Sequence, residues 1–185
     1  MKTILVVDDD ESILAVLSDL IEDAGYQVIA TGDGLSGMQL TEQYLPDLVI
    51  LDINLPHLDG FQILRNIRTT PRLSTIPVII YTAECGFQEL RRGMMEGAQD
   101  YLLKPTAPRD LIAAVDVQLQ QRAVLEEKHN TTLRLLRKNI IYALPHELRT
   151  PLHLISGYAH LLESEEGNSS REEIVQYAGS IVTAS

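Results

Sequence analysis

The chain has no tryptophan, only two phenylalanines and a single cysteine, Cys85, in 185 residues. With one thiol an internal disulfide is excluded, which agrees with a reducing compartment. Cys85 has no partner and is read as inert. Positive charge is also scarce. Fifteen Lys and Arg face 26 Asp and Glu, a formal net charge of −11. A general nucleic-acid binder needs a basic face, so this balance argues against that class. No run of about 18 apolar residues occurs, which leaves no candidate membrane span. The opening Met1 to Val7 is interrupted at once by Asp8 to Glu11 and is too short for a signal peptide, so the chain is read as cytoplasmic.

What remains is ordinary in bulk and uneven in layout. Hydrophobic residues make up 45% and charged residues 22%, as in a globular protein. Residues 1–122 hold 18 acids and 9 bases. Such an acidic segment fits a divalent-cation site and equally fits solubility.

Within that segment, short apolar runs alternate with longer amphipathic ones. Ile4 to Val7, Tyr26 to Ala30, Leu48 to Leu51, Val78 to Tyr81 and Tyr101 to Leu103 are bounded by Asp, Gly or Pro and predict strands. Ser12 to Asp23, Leu35 to Tyr44, Phe61 to Thr69, Gln88 to Glu96 and Arg109 to Arg122 predict the helices between them. Five repeats of strand and helix imply an α/β fold, a parallel sheet covered on both faces. Beyond Arg109 little stops a helix until Glu165. Gln118 to Thr132 is polar and reads as a solvated connection. A stripe then follows at Leu133, Leu136, Ile140, Leu144, Leu148, Pro151, Ile155, Tyr158 and Leu162, with steps of 3 or 4 residues. A face this wide suits a helix bundle. Gly167 to Ser170 ends the helix, and Ser170 with Glu173 has the spacing of a capping box for another. The expected layout is a domain at 1–122, a helical linker at 123–132 and a helical domain at 133–185. The last helix reaches Ser185 without a stop signal, so the C-terminus is read as a truncation.

In an open parallel sheet, ligands gather at the carboxyl ends of the strands. Asp8, Asp9 and Asp10 follow the first strand, Asp52 ends the third, Thr82 the fourth, and Lys104 follows the fifth, before Pro105. Converging carboxylates raise one another's pKa unless a cation intervenes, and Mg²⁺ takes such oxygen ligands while bridging to phosphate. Asp10 alone reads as a turn or cap residue, and Asp59-Gly60 as a turn before a helix. The segments Ile4 to Asp9, Asp47 to Asp52, Leu55 to Gly60, Val78 to Ala83 and Asp100 to Pro105 together resemble the receiver domain of two-component response regulators. The resemblance covers residues 1 to about 122. It implies a flavodoxin-like strand order 2-1-3-4-5 and a phosphoacceptor at Asp52. It further implies Mg²⁺ ligation by Asp8, Asp9, Asp52 and the backbone carbonyl of Asn54, and phosphoryl binding by Thr82 and Lys104. Tyr101 would be an aromatic switch moving with Thr82, and the Lys104–Pro105 bond would be cis.

A second constellation lies on the last long helix. His146 falls about 200° from both Leu144 and Leu148 on an ideal helix, away from the apolar stripe. Glu147 is adjacent, and Thr150 lies one turn on, on the same face as His146. A neutral imidazole with a nearby base is a nucleophile near pH 7; Arg149 could meet phosphate charge. His146-Glu147-Leu148-Arg149-Thr150-Pro151-Leu152 resembles the phosphoacceptor box of the dimerisation domain of sensor histidine kinases. The resemblance implies autophosphorylation of His146, Glu147 as base, and Glu147 with Thr150 as a phosphatase pair. It also implies a homodimer built as a four-helix bundle. Pro145 departs from the pattern and removes a helix hydrogen bond, as Pro151 does. ATP would act only through a nucleotide-binding domain that these residues do not include. His57, His129, His153 and His160 lack comparable context and read as surface or packing residues.

The combined expectation is the N-terminal part of a hybrid histidine kinase. Phosphorylation of Asp52 would regulate a kinase whose phosphoacceptor is His146, within a phosphorelay. Its partners would be an upstream histidine kinase or phosphotransfer protein and a downstream response regulator, with no nucleic acid and no membrane. The alternative is a dimeric adaptor, phosphorylated by a separate kinase, in which His146 is inactive.

Overall fold

The computed structural model describes residues 1–83, 86–164 and 175; in its last helix, side chains are described at 108–138, 152, 153, 155–157 and 160. It divides into two compact units, Met1–Glu126 and Glu127–Ser185. Cys85 and the expected second helix of the helical domain lie outside the described residues, apart from a helical residue at Val175.

The first unit alternates strand and helix as the apolar periodicity predicts. The strands are β1 (Thr3–Val7), β2 (Gln27–Thr31), β3 (Leu48–Leu51), β4 (Val78–Thr82) and β5 (Asp100–Leu103). Between them run α1 (Glu11–Asp23), α2 (Gly34–Tyr44), α3 (Gly60–Thr69) and α4 (Phe87–Met95); α5 (Pro108–Ser164) follows β5. All pairings are parallel, in the order β2-β1-β3-β4-β5. This is the doubly wound α/β fold expected from sequence, with its order reversing at β1. Strand and helix boundaries fall within one residue of expectation. The shift at β2 comes from the end of α1: the Tyr26 amide still donates to the Ile21 carbonyl at 3.2 Å, and pairing with β1 begins at Gln27.

Residues alternating along the strands face opposite layers. Leu5, Val7, Val49, Leu51, Val78 and Ile80 pack with Met38 of α2 and Phe61, Ile63, Leu64 and Ile67 of α3. Ile4, Val6, Leu48, Ile50, Ile79 and Tyr81 pack with Leu17 and Ile21 of α1 and Leu111, Val115 and Leu119 of α5. β1, β3 and β4 are buried along nearly their whole length, which explains their unbroken apolar runs; β2 and β5 are edges and only half-buried.

Local chemistry fixes where the helices begin. Asp10 caps α1, its carboxylate accepting from the Ser12 and Ile13 amides at 2.8 and 3.3 Å. Asp33 caps α2 and Asp59 caps α3, the latter in a capping box with Gln62. Gly60 permits the α3 start to press on β3, since a Cβ there would run into the Asp52 carbonyl oxygen. Across the α3–β4 and α4–β5 connections, Arg68 donates to the carbonyls of Gly97, Ser74 and Ile76 at 2.8, 3.0 and 2.8 Å. α5 opens at Pro108, a favoured first helical residue, and stays helical through Pro145 and Pro151. No helix among the described residues is long and apolar enough to cross a membrane.

Candidate functional site

The order reversal at β1 opens a crevice between the carboxyl ends of β1 and β3, and the chain places its acids there. Val7 and Leu51 are register partners, so the residues that follow, Asp8 and Asp52, emerge side by side. The Asp52 amide donates to the Val7 carbonyl at 2.9 Å and the Asp8 amide to Thr31 at 3.1 Å. Both residues are deeply buried for acids, Asp8 at 1% and Asp52 at 6% exposure counted over the whole residue, while Asp9 is exposed.

Lys104 reaches them from the opposite side. Its Nζ lies 2.5 Å from Asp8 Oδ2 and 2.6 Å from Asp52 Oδ2. It also sits 5.6 Å from the centroid of the Tyr81 ring. The cis Lys104–Pro105 bond expected from sequence is present at this turn. The other oxygen of Asp52, Oδ1, accepts from the amides of Ile53 at 2.6 Å and Asn54 at 3.5 Å. Asp8 Oδ1 accepts from the Asp10 amide at 3.1 Å.

The electrostatics follow from burial and pairing. Desolvation pushes the Asp8 carboxyl above its ordinary range, against the hydrogen bonds from Lys104 and the Asp10 amide, and the neighbouring Asp52 charge adds to the rise. For Lys104 burial alone would pull the ammonium down. The hydrogen bonds and charges of Asp52 and Asp8 outweigh it, and the group lies above its ordinary value. One cation therefore serves two buried carboxylates, with a third beside them. Ligand oxygens of Asp8, Asp9 and Asp52 all lie within 4.8 Å of one another, the only such grouping of His, Cys, Asp or Glu among the described residues. A hard divalent cation with oxygen ligands fits this donor set.

Two further expected residues lie on β4 and β5. Thr82 ends β4, is fully buried, and its carbonyl accepts from the Lys104 amide at 2.8 Å. Tyr101, on β5 opposite Ile80, is half-buried against the core beside Gly93 of α4. Asp10 stands apart as the α1 cap, its carboxyl lowered by the Ser12 and Ile13 amides. His146, Glu147 and Thr150 lie in the helical stretch of α5, and their side chains fall outside the described residues. His129, His153 and His160 are exposed on α5, as expected of surface residues.

Sequence reasoning missed one contact bordering the site. His57, read as a surface or packing residue, is exposed yet pairs with Asp33 24 residues away, at 2.7 Å. Nothing local in sequence announces it. The Asp59–Gln62 box did have a signal, an acid followed three residues on by Gln ahead of an apolar run.

Comparison with known proteins gives two matches in tandem. The response regulator receiver domain family matches residues 4–116, and the His Kinase A (phospho-acceptor) domain family matches residues 136–185. Among curated relatives, the DNA-binding dual master transcriptional regulator RpaA of Synechocystis is 38% identical over 135 residues, covering 72% of this chain and 56% of its own length. The alkaline phosphatase synthesis transcriptional regulatory protein PhoP of Bacillus subtilis is 37% identical over 123 residues, covering 66% and 50%. The chain thus spans about half the length of the curated relatives it matches. Among solved structures, a putative response regulator from Chloroflexus aurantiacus aligns with a TM-score of 0.62 at 34% identity, covering 64% of this chain and 98% of that one. The signal receiver domain of a signal transduction histidine kinase from Syntrophus aciditrophicus aligns with a TM-score of 0.62 at 30% identity, covering 65% and 92%.

Proposed function

The chain belongs to the response regulator receiver family, with a His Kinase A phosphoacceptor domain behind its receiver, and is a two-component signalling protein; from this we propose that Asp52 accepts a phosphoryl group and thereby regulates a histidine kinase whose own phosphoacceptor is His146. The observation that carries the reading is the buried Lys104 ammonium between Asp8 and Asp52, with Asp9 completing a carboxylate cluster.

The donor is a phosphorylated histidine of an upstream kinase or phosphotransfer protein. An Asp52 carboxylate oxygen forms a bond to phosphorus as the bond from phosphorus to the donor's imidazole nitrogen breaks, and that nitrogen keeps the electron pair. The Ile53 and Asn54 amides fix the carboxylate through Oδ1. Lys104 turns from the two carboxylates to the incoming phosphoryl oxygens, exchanging one pair of anions for another. Thr82 supplies a hydroxyl donor beside it. Asp8, Asp9, Asp52 and the backbone carbonyl of Asn54 would hold Mg²⁺, which when bound neutralises charge on the transferring group. Recruitment of Thr82 draws Tyr101 inward, which gives the two-state element that a phosphoryl charge can bias.

In the second domain, the imidazole of His146 attacks the terminal phosphorus of ATP held by a nucleotide-binding domain outside these residues. The bond from that phosphorus to its bridging oxygen breaks, ADP leaves with the electron pair, and Glu147 takes the ring proton. Glu147 with Thr150 orients a water for a separate phosphatase step, in which water attacks phosphorus and the group leaves as inorganic phosphate. The boundaries are 1–122 for the receiver, 123–132 for a helical linker and 133–185 for the dimerisation and phosphoacceptor domain. Leu133 and Leu136, exposed in the single chain, belong to the face that a second copy would cover, making a homodimer. The setting is cytoplasmic, and the downstream partner is a response regulator.

Incubation with a phosphorylated upstream kinase tests the relay. An acyl phosphate at Asp52 is labile to base, whereas phosphohistidine is labile to acid. Base-labile label on Asp52 from that kinase, together with acid-labile label on His146 once ATP and a nucleotide-binding domain are supplied, supports the proposal. Label on Asp52 with none on His146 under those conditions favours a dimeric receiver adaptor in which His146 is inactive, and absence of label on Asp52 overturns the proposal.

A further inference from the structure

The loop joining β3 to α3 carries the two amides that hold Asp52 Oδ1. It folds back on itself, with the Leu55 and Gly60 amides donating to the Ile53 carbonyl at 3.1 and 2.9 Å and the Leu58 amide to Pro56 at 2.8 Å. At its apex His57 adopts φ 65°, a left-handed conformation that L side chains with a Cβ seldom hold.

Three contacts tie this apex to the start of α2. The Gly34 amide donates to the Pro56 carbonyl at 3.3 Å. Gly34 leaves no room for a Cβ against the Leu58 carbonyl oxygen. The His57 Nδ1 meets Asp33 Oδ1 at 2.7 Å. Asp33 is a prepared acceptor, since the Ser36 amide and hydroxyl hold its other oxygen at 2.9 and 2.7 Å. Those bonds, with the one from His57, keep its carboxyl well below the usual range and hence ionised. Of the three contacts, only the His57 pair is a side-chain contribution, and it sits where the backbone most needs holding.

We infer that His57 is a positioning residue for the Asp52 site, its pairing with Asp33 locking the β3–α3 loop so that the Ile53 and Asn54 amides present the Asp52 carboxylate in one orientation. This deepens the Asp52 reading and rests on it. With the pair removed, the loop samples other turns and the carboxylate loses its fixed direction. The divalent cation then binds a less organised set of oxygens, while the chemistry at a filled site is unchanged.

The test uses the whole 185-residue chain. Mg²⁺ affinity is measured by calorimetry without a phosphodonor, and the Mg²⁺ dependence of Asp52 phosphorylation is measured with a small acyl phosphate donor. His57→Gly removes the pair while relaxing the left-handed backbone, so it folds even if His57→Ala does not. Both weaken Mg²⁺ binding and raise its half-saturating concentration about two- to fivefold, as expected for loss of one exposed hydrogen bond to a carboxylate, with limiting rates within about twofold of the original. His57→Asn, whose amide can donate to Asp33 and which tolerates the left-handed turn, restores most of the affinity. Asp33→Asn keeps the α2 cap but lacks the charge and behaves like His57→Ala, and the double variant is no worse than either single one. Unchanged affinity in His57→Gly, or no recovery in His57→Asn, overturns the inference. If the original chain takes no phosphoryl group while His57→Gly still weakens Mg²⁺ binding, the Asp52 reading fails and the positioning role stands.

Discussion

Replacing Lys104 with methionine keeps an unbranched stem of similar length and removes the one cation shared by Asp8 and Asp52. All three side chains are largely withdrawn from water, at 10%, 2% and 7% exposure. Breaking a buried pair on one side destabilises by about 3–5 kcal/mol. Because the crevice opens at the sheet edge and Asp8 can take a proton, the lower end, about 3 kcal/mol, is expected in metal-free buffer near neutral pH. For a protein of this size that shifts the melting temperature by roughly 10 °C. The loss should depend on pH. Burial already lifts Asp8 above its ordinary 3.8, and removing Lys104 takes away the opposing hydrogen bond and charge, so it rises further. The folded variant then keeps a proton that the unfolded chain releases. Its stability is retained at acid pH and falls as pH rises from the ordinary carboxylate range through the raised Asp8 value, so the deficit is larger at neutral pH than at acid pH. Mg²⁺ at a hundredfold excess over its dissociation constant stabilises a chain that binds it by about 2.7 kcal/mol; with Lys104 no longer competing for the Asp8 and Asp52 oxygens the variant binds it more tightly than the original, so the deficit shrinks. Circular dichroism melts with chelator and with Mg²⁺, at both pH values, provide the assay. A deficit independent of both pH and Mg²⁺ would refute the claim that Lys104 balances a metal-binding carboxylate pair.

Three other expectations are narrower. Asp59→Ala breaks the capping box of α3 and should lower stability by about 1 kcal/mol in chemical denaturation, with little change in Mg²⁺ affinity. Gly60→Ala drives a methyl into the Asp52 carbonyl and should cost about 3 kcal/mol, slowing phosphorylation as well, since β3 must move. Asp8→Asn removes the carboxyl that burial disfavours, so the metal-free protein should melt no lower than the original while calorimetry finds Mg²⁺ binding largely lost.

The residues of the site were legible in the sequence because the fold writes them at fixed places. A strand buried on both faces reads as an apolar run, so the residue after the run marks the carboxyl edge, and Asp8, Asp52 and Thr82 stand there; Lys104 follows β5, a half-buried edge strand whose short apolar run ends at Leu103. The apolar runs themselves located β3 to the residue, while β2 slid by one because Tyr26 looks like strand but its amide is still held by Ile21 at the end of α1. What periodicity does not carry is contact between distant loops. That one lysine serves two carboxylates depends on β1 and β3 being neighbours with the β5 turn opposite. That His57 meets Asp33 depends on the loop after β3 folding onto the start of α2. Gly34 and Gly60 matter through a carbonyl pressed against each, which no local pattern encodes.

Asp52 is the proposed phosphoryl acceptor, dependent on a divalent cation, and every later step rests on it. Intact-mass and peptide mass spectrometry after incubation with a small acyl phosphate donor measure this directly. With Mg²⁺ the chain should gain one base-labile phosphoryl group on the peptide containing Asp52, and should gain none with chelator or in Asp52→Asn. A phosphoryl group elsewhere in residues 1–122, or equal labelling in Asp52→Asn, would contradict it.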